Sequence, residues 1–334
     1  MFGSGIFLLS ISGQHLAHPV TTDADKVIEI ASLAEEEDEL PPLEPEPNPT
    51  LFFAGEPVPL HKPRVAAKLE RELAHSQHWC SGESPTLSVI RHNLPKIERI
   101  IRQQGLPEDM KYLAVAESFF RHDVSPKGAA GVWQLMPHTA KELGLVINHE
   151  IDERYHLEKA TVAACQYIKR GYERFGNWTV TAAAYNRGIG GIYRAVSAQR
   201  SNTYYDLKLN RETGRYIFRV LAVKELLENP AKYGMTIRKA RQIKPEPLRA
   251  LKIRNTIPDV AAFAAYYSLS YAELRELNPW IVGSSLTVTE ERPEYKVYIP
   301  RRKREKPAEV LVKETAPKPV EAAAPVVVAS AAKL

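Results

Sequence analysis

The chain has 334 residues, of which 44% are hydrophobic and 25% are charged, as is typical of a soluble protein with one large core and a smaller module. Its net charge of +5 is uneven, because residues 23–50 hold ten acidic residues against one Lys, while 301–334 hold eight basic residues against four Glu. A basic tail of this kind is either solvated or binds an anionic envelope polymer. No aromatic-rich basic motif accompanies it, so nucleic acid is not expected as a partner.

The N-terminal region carries an incomplete signal for export, and export is expected mainly from the features described below. An apolar run from Gly5 to Ser12 has the size of a signal-peptide core, but no basic segment precedes it. Residues 1–18 are therefore a candidate signal peptide, and the alternatives are a true start that lies upstream and an ordinary strand. No Cys lies near a cleavage site, so an N-terminal lipid anchor is not expected, and no other stretch is predicted to cross a membrane. Residues 19–63 are acidic and proline-rich, which is typical of a linker and an extended lead-in.

Residues 64–240 have helical periodicity and predict an all-α domain. The first helix is expected to begin near Val65, and Gly105 is expected to cap a helix at its C-terminal end. The later predicted helices are 95–107, 108–120, 138–144, 159–176, 178–186 and 214–229.

The pattern changes after Pro245. "LRALKIRNT" and "EYKVYIP" read as strands, and residues 258–279 read as two short helices joined at 268–270. Residues 246–300 therefore predict a small α+β module, whereas 301–334 have the Lys, Ala and Pro composition of a disordered tail.

One carboxylate stands out in the apolar stretch "YLAVAESFF". In a helix, Met110, Leu113, Ala114 and Glu117 share one face, so Glu117 takes a core position. Burying an ionised carboxylate costs several kcal/mol unless it is paired or protonated. An apolar setting raises the pKa of such a group and favours a general acid.

Three later segments add hydrogen-bonding side chains and glycines. "SPKGAAGVWQLMP" offers Gly128 and Gly131 for close backbone approach, Gln134 as donor and acceptor, and Trp133 and Met136 as apolar faces for a sugar ring. "AAAYNRGIGG" runs from a helix into a predicted glycine-rich loop and places Tyr185 and Asn186 at the helix end. "ETGRYIF" brings Tyr216 into the next helix. Each segment alone is common, and a Tyr-Asn pair by itself is typical of a helix cap.

Together these motifs resemble the lytic transglycosylases of the goose-type-lysozyme-like fold, and most closely the membrane-bound lytic murein transglycosylase D group. The matching residues are Glu117-Ser118, Gly128 to Pro137, Ala184-Tyr185-Asn186 and Tyr216, within about 85–233. Arg187 departs from the family pattern, which often has a small residue or Cys there. The resemblance implies a mainly α structure, with a lysozyme-like catalytic domain at 64–240.

The resemblance also implies a reaction and a set of roles. Glu117 would cleave the β-1,4 bond between N-acetylmuramic acid (MurNAc) and N-acetylglucosamine (GlcNAc) without water, first as acid and then as base, to leave a 1,6-anhydro end. Ser118 would support the backbone. The implied substrate-binding residues are Ser125, Gly131, Gln134, Met136, Tyr185, Asn186 and Tyr216. Asp123 is the nearest other acid, and Glu212 reads as a helix-start residue.

The C-terminal module resembles a LysM module, a glycan-binding fold, through Asp259, Leu274, Asn278-Pro279 and Trp280. It either binds glycan or is a degenerate copy that packs on the catalytic domain. Cys80 and Cys165 either pair or, as the helical setting of Cys165 suggests, remain separate. Two isolated cysteines do not make a zinc site, and no metal or other cofactor is expected.

Two functional alternatives stay open at this stage. A lysozyme-type hydrolase on the same fold would add water, and a non-catalytic protein would only bind peptidoglycan. The expected partners are peptidoglycan glycan strands and cell-envelope proteins, at the periplasm or envelope, with membrane association as an option.

Overall fold

The computed structural model describes residues 51–80, 84–234 and 247–301, with only the backbone at 78–80. The predictions for 1–50 and 302–334 and for the side chain of Cys80 lie outside these residues. The first region contains helices α1 Pro63–Cys80, α2 Pro85–Gln103, α3 Lys111–Ser118, α4 Pro137–Glu142, α5 Leu157–Phe175, α6 Trp178–Arg187, α7 Ile189–Gln199 and α8 Thr213–Glu228. Short 3-10 helices lie at Glu108–Met110, Glu153–Tyr155, Tyr204–Asp206 and Pro230–Tyr233.

Helix α3 lies in the middle of the helical domain. Its residues Leu113, Ala114 and Val115 are fully buried, because α3 packs against α8 on one side and α2 on the other. Helix α1 also packs on α8, and α5 packs on α6 and α2. The predicted all-α character of this region is confirmed, and its apolar faces form one continuous core.

The prediction that α3 continues through Phe120 is wrong. The helix ends at Ser118, because Phe119 (φ 51°) and Phe120 (φ 62°) both adopt left-handed backbone conformations. Such a conformation costs about 1–2 kcal/mol for each non-glycine residue. Ser118 helps to hold it, since its hydroxyl accepts a hydrogen bond from the Phe120 N–H (3.1 Å) and donates one to the Val132 carbonyl (2.9 Å).

The predicted glycine-rich loop after Asn186 is also wrong. Helix α6 ends at Arg187, Gly188 turns the chain with φ 85°, and α7 begins at once at Ile189. Two of the glycines are therefore part of a helix, and the tight turn fixes the direction of α7 relative to the end of α6.

A short hairpin precedes α1, in a stretch where the sequence pattern indicates only a lead-in. Strands β1 Phe52–Phe53 and β2 Glu56–Pro57 pair in an antiparallel manner, and Phe53 is fully buried in the helical core. The Glu56 carboxylate accepts hydrogen bonds from the backbone N–H groups of Trp178 and Thr179, at the start of α6. The hairpin thus caps a helix that carries site residues.

The C-terminal module has the predicted order of strand, helix, helix and strand. Its elements are β3 Leu248–Ile253, α9 Val260–Tyr266, α10 Tyr271–Leu277 and β4 Tyr295–Pro300, with β3 antiparallel to β4. The Asp259 carboxylate caps α9, and Ser270 and Glu273 form a capping box at α10. The predicted fold class, mainly α with a small α+β C-terminal module, is confirmed.

The module packs directly against the helical domain. Ile151 belongs to the apolar core of the module, and the Asp152 N–H donates a hydrogen bond to the Trp280 carbonyl (2.9 Å). The buried Glu150 carboxylate accepts hydrogen bonds from the Ser285 hydroxyl and from the Thr287 N–H and hydroxyl. Gly283 permits this approach, since a Cβ there would lie 2.7 Å from the Glu150 Cα.

No helix within the described ranges combines the length and the apolar character that crossing a bilayer would require.

We expect Glu150→Ala to lower the free energy of unfolding by about 2 kcal/mol, because it removes the hydrogen bonds that Ser285 and Thr287 donate at the contact between the module and the helical domain. Urea denaturation measures this effect. Glu294→Ala, which removes a partly exposed ion pair with Arg254, is the matched control and should cost no more than about 1 kcal/mol. Equal losses in the two variants would contradict this role of Glu150.

Candidate active site

Glu117 occupies the last turn of α3. The helix face that leads to it is fully buried at Leu113 and Ala114, as the periodicity predicts, whereas Glu117 itself is half-buried. Its Oε1 accepts a hydrogen bond of 2.6 Å from the Tyr216 hydroxyl on α8. The acid is therefore held by the α3–α8 packing and still has a side open to solvent.

The surroundings of Glu117 favour the protonated carboxyl. Desolvation raises the pKa of Glu117 from an ordinary 4.5 to about 7, while the hydrogen bond from Tyr216 and the positive charge of Arg219 act in the opposite direction and the negative charge of Glu212 adds to the rise. At neutral pH the carboxyl is poised between its two protonation states. Burial raises the pKa of Tyr216 well above 10, so its phenol remains a donor.

Tyr185, on α6, lies beside the acid. Its hydroxyl donates a 2.7 Å hydrogen bond to the Trp133 carbonyl, and desolvation together with the negative charge of Glu117 raises the pKa of Tyr185 well above 10. The prediction that Trp133 offers its ring to a sugar is wrong, because Trp133 is fully buried and its Nε1–H donates to the Thr161 hydroxyl (2.8 Å).

The side chains of Ser125 and Gln134 help to hold the segment 125–137 in a tight loop. The Ser125 hydroxyl accepts from the Ala129 N–H (3.0 Å), and the Gln134 side-chain amide donates to the carbonyls of Asp123 (2.9 Å) and Gly131 (3.0 Å). Gln134 itself has a left-handed φ of 47°. Met136 is half-buried just before α4. The bonds of Ser125 and Gln134 thus shape the loop instead of contacting Glu117.

Arg154 supports this loop, and the sequence reasoning missed it. The buried guanidinium pairs with Asp152 and donates hydrogen bonds to the carbonyls of Gly128 (2.7 Å) and Leu135 (3.2 Å). Gly131 is required at this contact, since a Cβ there would lie 2.1 Å from the Arg154 carbonyl oxygen. No local pattern identifies Arg154, because its partners lie 19 and 26 residues away along the chain.

Asn186 connects the end of α6 to the start of α8. Its side-chain oxygen accepts a hydrogen bond from the Thr213 hydroxyl (2.9 Å), and its amide donates to the Glu212 carboxylate (3.2 Å). Glu212 stands at the start of α8, as predicted. It also acts on the pKa of Glu117, which the sequence reasoning did not foresee.

Two cavities lie along α8. The Arg187 cavity, of about 280 Å³, is lined by Lys127, Asn186, Arg187, Gly191, Arg194, Asn210, Glu212 and Thr213. The Arg219 cavity, of about 340 Å³, is lined by His75, Ser76, Thr86, Phe119, Arg121, Arg215 and Arg219. Thr213, Tyr216 and Arg219 follow one another at three-residue spacing, so Tyr216 and its partner Glu117 lie between the two cavities.

Within the described ranges, no group of three or more His, Cys, Asp or Glu side chains is arranged to hold a metal ion. Cys165 is a buried free thiol, and desolvation raises its pKa to about 12. It therefore behaves as a small apolar residue of the core and not as a reactive group.

Two parts of the chain match models of known protein families. Residues 97–207 match the family model "Transglycosylase SLT domain", a range that includes Glu117, the 125–137 loop, Tyr185 and Asn186. The chain contains a transglycosylase SLT domain. Residues 249–303 match "Soluble lytic transglycosylase C-terminal LysM-like domain", so the C-terminal module is LysM-like, as the resemblance in its sequence implies.

Parts of the chain are also similar to individual proteins. The chain is 30% identical over 210 residues to membrane-bound lytic murein transglycosylase D from each of two strains of Escherichia coli, which covers 60% of this chain and 45% of each relative. The chain thus spans about half the length of these curated relatives. The solved structure of an inactive mutant of lytic transglycosylase Slt from Pseudomonas aeruginosa matches with 20% identity and a TM-score of 0.35, over 55% of this chain and 31% of that one.

We expect Glu117→Gln to stabilise the fold at high pH only. The pKa of Glu117 is about 7 in the folded protein and near 4.5 in an unfolded chain, so wild-type stability falls as the pH rises between these values. A glutamine does not ionise and avoids this loss. In urea denaturation at pH 8, the free energy of unfolding of the variant should exceed that of the wild type by up to about 3 kcal/mol, with no such gain at pH 4.

The control for this measurement is Glu108→Gln, which removes an exposed carboxylate that pairs with Arg102. Its effect should be small at both pH values. A Glu117→Gln effect that is the same at pH 4 and pH 8 would mean that the carboxyl is not desolvated.

Proposed function

We propose that this protein is a peptidoglycan lytic transglycosylase that cleaves the β-1,4 bond between MurNAc and GlcNAc and leaves a 1,6-anhydro-MurNAc end. The single observation that carries the proposal is the carboxyl of Glu117, which is desolvated, bonded to Tyr216, and has its pKa raised to about 7. The matches to the SLT domain and to lytic murein transglycosylases support the same assignment.

In the first step Glu117 acts as a general acid. Its proton passes to the glycosidic oxygen as the bond from that oxygen to C1 of MurNAc breaks, and the GlcNAc portion leaves with a hydroxyl at its C4. A carboxyl with a pKa near the working pH suits this task, because it holds the proton and yet releases it readily.

In the second step the resulting carboxylate acts as a base. It removes the proton from the C6 hydroxyl of MurNAc while that oxygen bonds to C1 and closes the anhydro ring. No water is consumed, and Glu117 regains its proton. The attacking oxygen belongs to the same sugar, so proximity and orientation are already present in the substrate and a second carboxylate is not needed.

The surrounding residues would position the acid and the sugar. Tyr216 orients the carboxyl through its hydrogen bond, and Tyr185 lies beside it. Asn186 connects the end of α6 to the start of α8 through its hydrogen bonds to Glu212 and Thr213. Ser125, Gly131, Gln134 and Met136 belong to the loop that would face the glycan, and Ser118 supports the backbone behind Glu117.

The hydrolase alternative has one observation in its favour. Glu212 is a second, exposed carboxylate near enough to raise the pKa of Glu117. In a hydrolase it would activate water. However, its carboxylate already accepts a hydrogen bond from Asn186 and lines the Arg187 cavity, which suits a bracing role better. A protein that only binds peptidoglycan would have no use for a carboxyl with a pKa near 7.

The LysM-like module supports the domain and leaves a surface for glycan. Asn278 is fully buried and bonds to β4, and Trp280 is buried and stacks on Tyr295. These residues hold the module together, whereas Tyr266 and Tyr271 are exposed. We favour a module that packs on the SLT domain and extends its contact with peptidoglycan.

The proposed substrate places the protein in the cell envelope. The relative from Escherichia coli carries the description "membrane-bound", which is consistent with this location. Protein partners in the envelope stay a prediction from the sequence.

We expect Glu117→Gln to reduce the release of muropeptides from purified sacculi by about 10³-fold while sacculus binding persists, because the proton donor is lost and the shape is kept. Asp123→Asn, at an exposed acid that pairs with Arg121, is the control and should stay active. Mass spectrometry identifies the products. Reducing muramic acid ends would establish the hydrolase, and release by the Glu117→Gln variant would show that another group is the acid.

The rate should also report the pKa of Glu117. We expect kcat/KM to fall as the pH rises through about 7, since the acid must hold its proton. Tyr216→Phe removes a hydrogen bond that lowers this pKa and should move the decline to higher pH. Glu212→Gln removes a negative charge that raises it and should move the decline to lower pH. Shifts in the same direction, or none, would contradict this account of the site.

A further inference from the structure

We propose that the Arg187 cavity binds the carboxylate groups of the peptide stems on the glycan, so that the enzyme prefers strands with ionised stems to strands with amidated stems. This inference rests on the proposed function. It concerns the peptide stem, a part of the substrate that Glu117 does not contact. The proposed site is the cavity of about 280 Å³ beside Asn186.

The cavity gathers positive charge from three separate elements. Lys127 comes from the 125–137 loop, Arg187 from the end of α6, and Arg194 from α7, against the single negative charge of Glu212. All three cations are exposed, and none of them forms an ion pair with a carboxylate in the part of the chain that the structure describes. Their charge is therefore available to an anion that enters the cavity.

The first turn of α7 leaves room for the two arginines. A Cβ at position 191 would lie 3.1 Å from the Arg187 Cγ, and one at position 190 would lie 3.7 Å from an Arg194 terminal nitrogen. Glycine inside a helix costs about 1 kcal/mol relative to alanine. Here Gly191 spares Arg187 a close contact, whereas a Cβ at position 190 would make only an ordinary contact with Arg194.

The cavity lies close to the reacting bond. Thr213 lines it, and Tyr216, which holds Glu117, is three residues further along α8, a rise of about 4.5 Å. A group bound in the cavity therefore belongs to the sugar at the cleavage site or to the next sugar. In peptidoglycan the peptide stem is attached to MurNAc, so its carboxylates reach this position.

Carboxylate is the chemistry that these side chains fit. An arginine guanidinium binds a carboxylate through two parallel hydrogen bonds, and this planar match is lost with an uncharged amide. The sugar rings themselves carry hydroxyl and acetamido groups, which need no such concentration of charge. Glu212, at the edge of the cavity, would repel a misplaced carboxylate and orient the stem toward the arginines.

The test compares two substrates that differ only in charge. One is a set of glycan strands with intact stems, and the other is the same strands after carbodiimide and ammonium have converted the stem carboxylates to carboxamides. We expect the wild-type enzyme to cleave the untreated strands with about tenfold higher kcat/KM. In the R187Q/R194Q double variant this ratio should fall to near one. R170Q, at an exposed arginine that pairs with Glu142, should keep the wild-type ratio.

A direct binding measurement covers the case in which no cleavage occurs. In the Glu117→Gln background, calorimetry should show that N-acetylmuramoyl-L-alanyl-D-glutamate binds more tightly than its carboxamide form. The R187Q/R194Q substitutions should abolish this difference in affinity. A ratio or binding difference that survives in the double variant would overturn the proposal. Failure of wild-type cleavage with a binding difference intact would reject the proposed reaction and leave the anion site.

Discussion

The desolvated carboxyl of Glu117 and its hydrogen bond from Tyr216 are the interaction on which the rest of the site depends. The fold tolerates an acid on the apolar face of α3 because burial raises the pKa of Glu117 to about 7. The carboxyl can therefore be protonated, and thus neutral, near neutral pH. The hydrogen bond from Tyr216 fixes the orientation of the carboxyl and limits the rise of its pKa. Because α3 and α8 pack against each other, the acid and its donor keep their geometry without a substrate.

Backbone carbonyls connect the segments around the acid. Ser118 donates to the Val132 carbonyl, Tyr185 donates to the Trp133 carbonyl, and Arg154 donates to the carbonyls of Gly128 and Leu135. Each of these three side chains ties the 125–137 loop to a different element. The loop is thus held by side chains that lie far apart in the sequence.

Charge is arranged along α8 on both sides of the acid. Two arginines line the Arg187 cavity and three line the Arg219 cavity. The row Thr213, Tyr216 and Arg219 leads from one cavity to the other past Glu117. The LysM-like module is joined to the helical domain through Glu150, whose carboxylate accepts hydrogen bonds from the Thr287 N–H and hydroxyl.

Local sequence patterns by themselves determined most of the helices, but not α7, together with the α+β module and the position of Glu117 on a buried face, because periodicity and capping act over a few residues. They failed where distant contacts decide the outcome. Helix α3 stops at Ser118, where the hydroxyl bonds to the Val132 carbonyl and the next two residues adopt left-handed conformations. The Trp133 ring does not face a ligand, because its Nε1–H donates a hydrogen bond to Thr161 inside the core. The charge in the Arg187 cavity, and the influence of Glu212 on the acid, exist only once α6, α7 and α8 have packed, since an electrostatic field depends on distances in space and not along the chain.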